Sequence, residues 1–344
     1  MTMDRVRESR GVPTAAITRE RPTRRILFVG LSFHSYTSRI IESLRNRGFA
    51  VTYYPSEKRS FWSKSLKKFL PSVYRARLRR YHERILAAAE QSRYEFVFFL
   101  QIHYLSLEHV ERLRMSQPQA KFLLYNWDSL ATHDYRPYLK FLDSVFTFDR
   151  TDAENVPARY LPLFALPEYF QKSGPLAPSH DIYFVGVIGT LERFAAVRKL
   201  DDYCKEHNIR FARHLQCSPA VFLKLLRNGL FVEGLSLRSL STGEVIRLMN
   251  DSSAVFDFPN HPQSGFTIRL IENMCAGKKV VTSNALVRNE TFHSTEQFFV
   301  VNNLDFSGLQ DFLRRDHEGA TGQRAIPCHE EFSLAHWLDT IFED

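Results

Sequence analysis

The chain reads as a two-domain α/β protein, each half a doubly wound parallel sheet. Three observations predict this. Short, near-continuous apolar runs alternate with helically spaced segments, a proline-rich break interrupts the alternation near the middle, and the same pattern then restarts. A length of 344 residues suits two cores better than one.

The first unit opens at Arg25. Residues 26–29 are an apolar run ending at Gly30, and 37–47 carry Ile40, Ile41 and Leu44 at helical spacing. Gly48 stops that helix and 50–54 form the next strand. A strand–helix–strand unit predicts parallel pairing. Further strands are expected at 96–100, 121–125 and 144–148, with helices at 107–115 and 135–142. The segment 160–178 holds Pro162, Pro167, Gly174, Pro175 and Pro178, which excludes a long helix or central strand and marks a linker. Beyond it, strands are expected at 182–187, 211–216, 254–258, 279–283 and 297–301. Helices are expected at 192–206, 219–227, 243–250, 266–276 and 306–314. A last amphipathic helix, 332–342, carries Leu334, Trp337, Leu338 and Ile341. The chain divides into a tail at 1–24, a first domain at 25–160, a linker at 161–180, a second domain at 181–328 and a C-terminal helix at 329–344.

Composition is ordinary for a globular protein, with 44% hydrophobic and 24% charged residues. No run approaches the roughly 18 to 20 apolar residues that span a bilayer. The first 24 residues lack the apolar core of a secretory signal, carry Arg5, Arg7, Arg10, Arg19, Arg21 and Arg24, and read as a disordered basic tail. Cys204, Cys217, Cys275 and Cys328 lack CxxC spacing, so neither a disulfide framework nor zinc is expected. A cytoplasmic location follows, with peripheral contact at the inner face of a membrane. The formal charge of +8 asks for an acidic partner: nucleic acid, an anionic membrane surface or a phosphorylated substrate.

The most informative stretch runs from Asp257 to Gly277 and places a strand end, a loop with two prolines and a glycine, and a helix N-terminus in succession. Ligands of open α/β sheets bind beyond the carboxyl ends of the strands, and a helix N-terminus there suits phosphate oxygens. Ser264, Gly265 and Thr267 are small enough to let a diphosphate approach the backbone, and both hydroxyls can donate. Arg269 would neutralise the leaving diphosphate, and Glu272 would accept from ribose hydroxyls. The same residues also fit an ordinary βαβ unit, with Thr267 or Ser264 as helix cap and Arg269 and Glu272 solvated. Against that, Glu272 sits among Leu270, Ile271 and Met274, where an unpaired carboxylate is costly.

Glu272-Asn-Met-Cys-Ala-Gly277, followed by Lys-Lys-Val-Val-Thr, resembles the E-x-M-x-x-G-x-P-V-[IV] stretch of GT-B glycosyltransferases. The likeness is to the family-1 and family-4 type and to bacterial spore-coat and lipopolysaccharide relatives. It implies two Rossmann-like domains facing a cleft with the C-terminal helix crossing back, Glu272 on the ribose, and 265–268 around the diphosphate. The first Glu of the family's E-x7-E pair falls on Ser264 and the usual Gly before the helix on Thr267, so the contact to the sugar 3-hydroxyl is either missing or supplied by Gln263 or Ser264. The turn at Gly186, with Arg193 and in reserve Arg198, corresponds to the donor-side glycine turn and basic pair; surface arginines on an exposed helix are the alternative.

The acceptor and any base then belong to the first domain, at strand ends: His34, His103, Asp128 and Asp149. Asp128 beside Trp127 can deprotonate an acceptor hydroxyl while the indole stacks on a sugar face, or Asp128 and Ser129 merely cap a helix. His103 is the second catalytic candidate; His34 and His103 also fit structural roles. There is no D-x-D triad, so no metal and no cofactor beyond the nucleotide-sugar donor is expected. Residues 57–84 hold ten Lys or Arg against two Glu, interleaved with aromatic and aliphatic side chains. From Lys58 to Arg84 this suits an anionic membrane surface, with the aromatic side of a basic helix toward the lipid, and so a lipid-linked or glycan acceptor. A solvated helix packing its apolar side on the domain, or a nucleic-acid patch, are the rivals, nucleic acid being the least expected. The function these readings support is sugar transfer in envelope polysaccharide or lipopolysaccharide synthesis; a catalytically silent scaffold of the same fold is the alternative. No G-x-G-x-x-G follows the first strand, which argues against an oxidoreductase.

Overall fold

The computed structural model describes residues 24–33, 35–57, 67, 69–170, 178–260, 263–315 and 330–343. The basic tail through residue 23, His34, most of 58–68 and Cys328 lie outside them.

The first sheet has six strands, β1 (Arg25–Gly30), β2 (Ala50–Pro55), β3 (Phe96–Leu100), β4 (Lys121–Asn126), β5 (Ser144–Thr147) and β6 (Arg159–Tyr160). They lie in the order β2-β1-β3-β4-β5-β6, all parallel. The second sheet holds β7 (His180–Val187), β8 (Phe211–Gln216), β9 (Leu235–Ser236), β10 (Ser252–Asp257), β11 (Lys279–Thr282) and β12 (Phe298–Val300). Its order is β12-β11-β10-β7-β8-β9, again all parallel. Strands buried on both faces explain the near-continuous apolar runs; every residue of β3 is buried.

The helices are α1 (Tyr36–Asn46), α2 (Pro71–Glu90), α3 (Leu107–Ser116), α4 (Arg150–Asn155), α5 (Leu191–Glu206), α6 (Pro219–Arg227), α7 (Thr242–Asn250), α8 (Ile268–Cys275), α9 (Leu309–Arg314) and α10 (Leu334–Phe342). Hydroxyl or carboxylate caps begin many of them: Ser106, Asp149, Thr190, Ser218, Ser241, Thr267 and Ser333 each accept a hydrogen bond from the third residue onward. These caps also explain why α8 and α10 start two residues later than apolar spacing alone predicts. The helix expected at 135–142 is instead the 3-10 turn Arg136–Phe141, opened by Pro137. The one expected at 306–314 begins only at Leu309 because Gly308 turns left-handed, φ 82°. The short edge strands β6 and β9 and the six-residue α4 carry no periodicity long enough to read.

The described first part of the link, residues 161–170, is largely buried. Leu161, Leu163, Phe164, Ala165, Leu166 and Tyr169 join one apolar cluster that includes side chains from the first sheet, from α8 and from α10. In this described part the prolines allow only the 3-10 turn Pro167–Phe170, without forcing the chain to the surface. Helix α10 crosses back to the first sheet: Trp337 meets Tyr125 with ring centroids 4.7 Å apart, and Phe342 meets Phe96 and Phe98 at 5.3 and 5.4 Å. Among the described residues no helix is long and apolar enough to cross a membrane.

Candidate functional site

In the second sheet the chain order reverses between β7 and β10, which makes the crevice beyond their carboxyl ends the natural ligand position. A cleft of about 370 Å³ opens there, a volume within the range of small-molecule sites. Its second-domain wall includes Gly186, Arg193, His214, Gln216, Asp257, Asn260, Gln263, Thr267, Arg269 and Glu272. The opposite wall is Phe33, Tyr36, Trp127, Asp128 and Phe148, with Leu163 and Tyr169 from the link.

Arg193 folds back over the β7 turn. Its Nη1 donates to the Val187 carbonyl at 3.1 Å, its Nε has no partner, and its guanidinium sits 5.2 Å from the Phe184 ring centroid. Gly186 permits this, since a Cβ there would come within 2.7 Å of Arg193 Nη2. Burial pushes the Arg193 pKa down to about 10, against Asp257, which favours the charge, and with Arg269, which opposes it. At neutral pH the cation persists, held next to the cleft without a full set of acceptors. Arg198 is exposed on α5 and does not line the cleft.

Arg269 lies at the start of α8. Its Nη1 donates to Glu272 Oε2 at 2.6 Å, while Tyr36 Oη donates to Oε1 at 2.6 Å and Tyr169 stands beside the carboxylate. Burial opposes the arginine charge, but Glu272 and then Tyr183, Tyr169 and Tyr36 hold its pKa above the usual value. Glu272 is 2% exposed, so it is the buried and partnered carboxylate that its apolar neighbours predict. Its partners come from both domains and from the link.

Two expected donors are spoken for. Thr267 Oγ1 accepts from Leu270 N and donates to Asp257 Oδ1 at 2.5 Å, and Thr282 donates to Asp257 Oδ2 at 2.9 Å. Burial raises the Asp257 pKa, while these hydroxyls and the two arginines pull it back. Ser264 and Gly265 do not line the cleft. Their amides and the Ser264 hydroxyl hold an anion, but it is Asp149 of the first domain: Ser264 N to Oδ2 2.8 Å, Gly265 N to Oδ2 3.3 Å, Ser264 Oγ to Oδ1 2.5 Å. Gly265 is needed for this docking, because a Cβ would lie 2.4 Å from Phe148 Cδ2. The backbone donors still open at the cleft are Ile268 N and Arg269 N, which have no acceptor among the described residues. Anion-binding capacity therefore sits at Arg193, Arg269 and the first turn of α8, one turn away from the loop that small residues single out. Gln263 Nε2 bonds the Gly265 carbonyl at 3.1 Å and shapes that loop.

Across the cleft Asp128 is partly exposed. Gln101 Nε2 donates to its Oδ2, and His133 Nε2 stands 3.6 Å from the same oxygen. It caps no helix, since turns follow β4. His103 is not among the cleft-lining residues; its ring stacks on His133 with centroids 3.6 Å apart. Gln101, in a left-handed backbone conformation at φ 62°, is the residue beyond β3 that reaches Asp128. Tyr36, Tyr169, Asp257 and His133 were not singled out in the sequence. Asp257 alone had a signal, as a carboxylate at a strand end; the others meet the site only through tertiary contacts.

No protein-family model and no curated protein matches the sequence. Among solved structures the chain is similar to a Listeria monocytogenes protein described as a candidate UDP-N-acetylglucosamine 2-epimerase, with TM-score 0.50 and 13% identity over 93% of this chain and 96% of that one. Acinetobacter baumannii MurG has TM-score 0.42 and 12% identity, covering 75% of this chain and 78% of that one. The E. coli heptosyltransferase WaaC with ADP has TM-score 0.37 and 11% identity, covering 75% and 86%. The shared property is architecture: this chain has the two-domain α/β fold of GT-B enzymes.

Proposed function

We propose that the cleft binds a nucleotide-sugar and transfers its sugar to a hydroxyl of a glycan or lipid-linked acceptor of the bacterial envelope. The observation that carries this is the donor set on one wall of the cleft. Arg193 and the α8 N-terminus line it with Arg269, whose counter-charge is Glu272, and with Asp257, while the other wall is aromatic with Asp128 as its one charged group among the described residues. The diphosphate would lie against the arginines and the Ile268 and Arg269 amides, which neutralise charge as it develops on the leaving group. Asp128 would take the acceptor proton as the acceptor oxygen bonds the anomeric carbon. The anomeric C–O bond to the diphosphate breaks, and the nucleoside diphosphate leaves with the electron pair. Glu272 would reach a ribose hydroxyl where Tyr36 now donates. A second reading, a non-catalytic binding scaffold of the same fold, draws on Ser264, which stands where the family carries a carboxylate and is engaged by Asp149.

Calorimetric titration with UDP, GDP, dTDP and ADP tests the proposal on wild type and Arg193→Met. Removing a partly unsatisfied buried cation should leave the fold intact and lower affinity at least about tenfold. Absence of binding by all four nucleotides to the wild type would sink the donor-site reading. Binding without any sugar transfer, across acceptors, would favour the scaffold.

A further inference from the structure

Helix α2 uses one face to pack and leaves the other exposed among the described residues. Tyr74, His82, Ile85, Leu86 and Ala89 are buried, so the apolar side of the helix itself packs on the first domain. On the opposite face Val73, Arg77, Arg80 and Arg84 follow at spacings of four, three and four, a single outward stripe. Arg75 and Arg79 are also exposed, on the far side of the helix from this stripe. Phe69 and Leu70 immediately precede the helix and are 70% and 54% exposed, with Val73 at 51%. The acids of the segment are turned away: Glu57 is bonded by Tyr74, and Glu83 pairs with Arg112 at 2.9 Å and with His109. The five arginines from Arg75 to Arg84 have no carboxylate partner among the described residues.

We propose that this outward face of α2, with Phe69, Leu70 and Val73 at its leading end, docks on an anionic lipid bilayer. Guanidinium groups without internal counter-ions match a surface of phosphate headgroups, and apolar side chains at one end of the stripe match the boundary of the acyl region. A nucleic acid would satisfy the arginines and leave the three apolar side chains in water, so lipid accounts for both halves of the stripe. The surface is separate from the cleft and does not rest on the nucleotide reading.

The test is co-sedimentation of the full chain with vesicles of phosphatidylcholine alone and of phosphatidylcholine with phosphatidylglycerol. Binding should require the anionic lipid. A variant with Arg77→Gln, Arg80→Gln and Arg84→Gln should lose roughly 100-fold in partitioning, about fivefold per arginine. The single change Arg80→Gln should read the fivefold step by itself. Phe69→Ser with Val73→Ser should remove the binding that survives high salt. A control with Arg198→Gln, Arg227→Gln and Arg314→Gln, exposed elsewhere, removes the same net charge and should bind like wild type. The proposal is overturned by failure to sediment with anionic vesicles or by equal loss in the control. Tighter binding to single- or double-stranded nucleic acid, lost in the α2 variants, would also overturn it.

Discussion

The Tyr36 to Glu272 hydrogen bond is the sharpest point at which to probe how the two domains are joined. It links α1 of the first domain to α8 of the second at 2.6 Å, between a tyrosine 4% exposed and a carboxylate 2% exposed. Tyr36→Phe keeps the ring among Phe33, Trp127 and Phe164 and deletes only the donor. A buried hydrogen bond to a charged group contributes about 1.5–3 kcal/mol, so the expected loss is about 2 kcal/mol, or roughly 4 °C in Tm. Glu272→Gln removes the anion from Arg269 and should cost more, about 3–5 kcal/mol, because a mostly buried guanidinium loses its counter-charge. Denaturant unfolding of both single variants and the double variant gives the coupling, expected to be at least about 1 kcal/mol. Additivity within about 0.5 kcal/mol, or an unchanged midpoint in Tyr36→Phe, would refute the reasoning. Glu272→Ala would unsettle this cross-domain network before any ligand arrived.

Other predictions follow from single atoms. Gly186→Ala forces the Arg193 guanidinium off the β7 turn; nucleoside diphosphate affinity should fall about tenfold in calorimetry while the fold persists, since a flexible side chain can yield. Gly265→Ala places a methyl 2.4 Å from Phe148 and should cost about 1–3 kcal/mol by denaturant unfolding, with the Asp149 docking lost. Asp152 has its pKa raised to about 6 by burial, then by Asp149, against its hydrogen bonds from Leu130 and Thr147. The folded state therefore binds its proton more tightly than the unfolded chain, and stability falls as pH rises from about 4 to 6. Asp152→Asn should stabilise the protein above pH 6, by at most about 3 kcal/mol, with the gain shrinking toward pH 4. A gain independent of pH in thermal melts would contradict this.

Regular elements were legible wherever periodicity ran long enough. The strand at 96–100 and the helix at 219–227 coincide with β3 and α6, because five consecutive apolar residues and a Ser-Pro start leave little choice. Edge strands of two residues and the 3-10 turn at Arg136–Phe141 were beyond such reading. At the site, Gly186, Arg193, Arg269 and Glu272 were found as residue types at strand ends and a helix start. The neighbours that decide what those groups can do were not.

The order of chain elements and the position of a helix N-terminus beyond a strand end are local or nearest-neighbour properties. Hydrophobic period and capping chemistry determine them, and they were present in the sequence of this protein. Which anion the Ser264 and Gly265 amides hold was decided only by tertiary structure. A carboxylate and a phosphate satisfy the same N–H groups, and Asp149 reaches them from 115 residues away where the two domains meet. The same holds for Glu272, whose burial could be read from its apolar neighbours but whose Tyr36 partner lies 236 residues earlier. Long-range contacts of this kind leave no period in the chain, because they depend on how two finished surfaces meet.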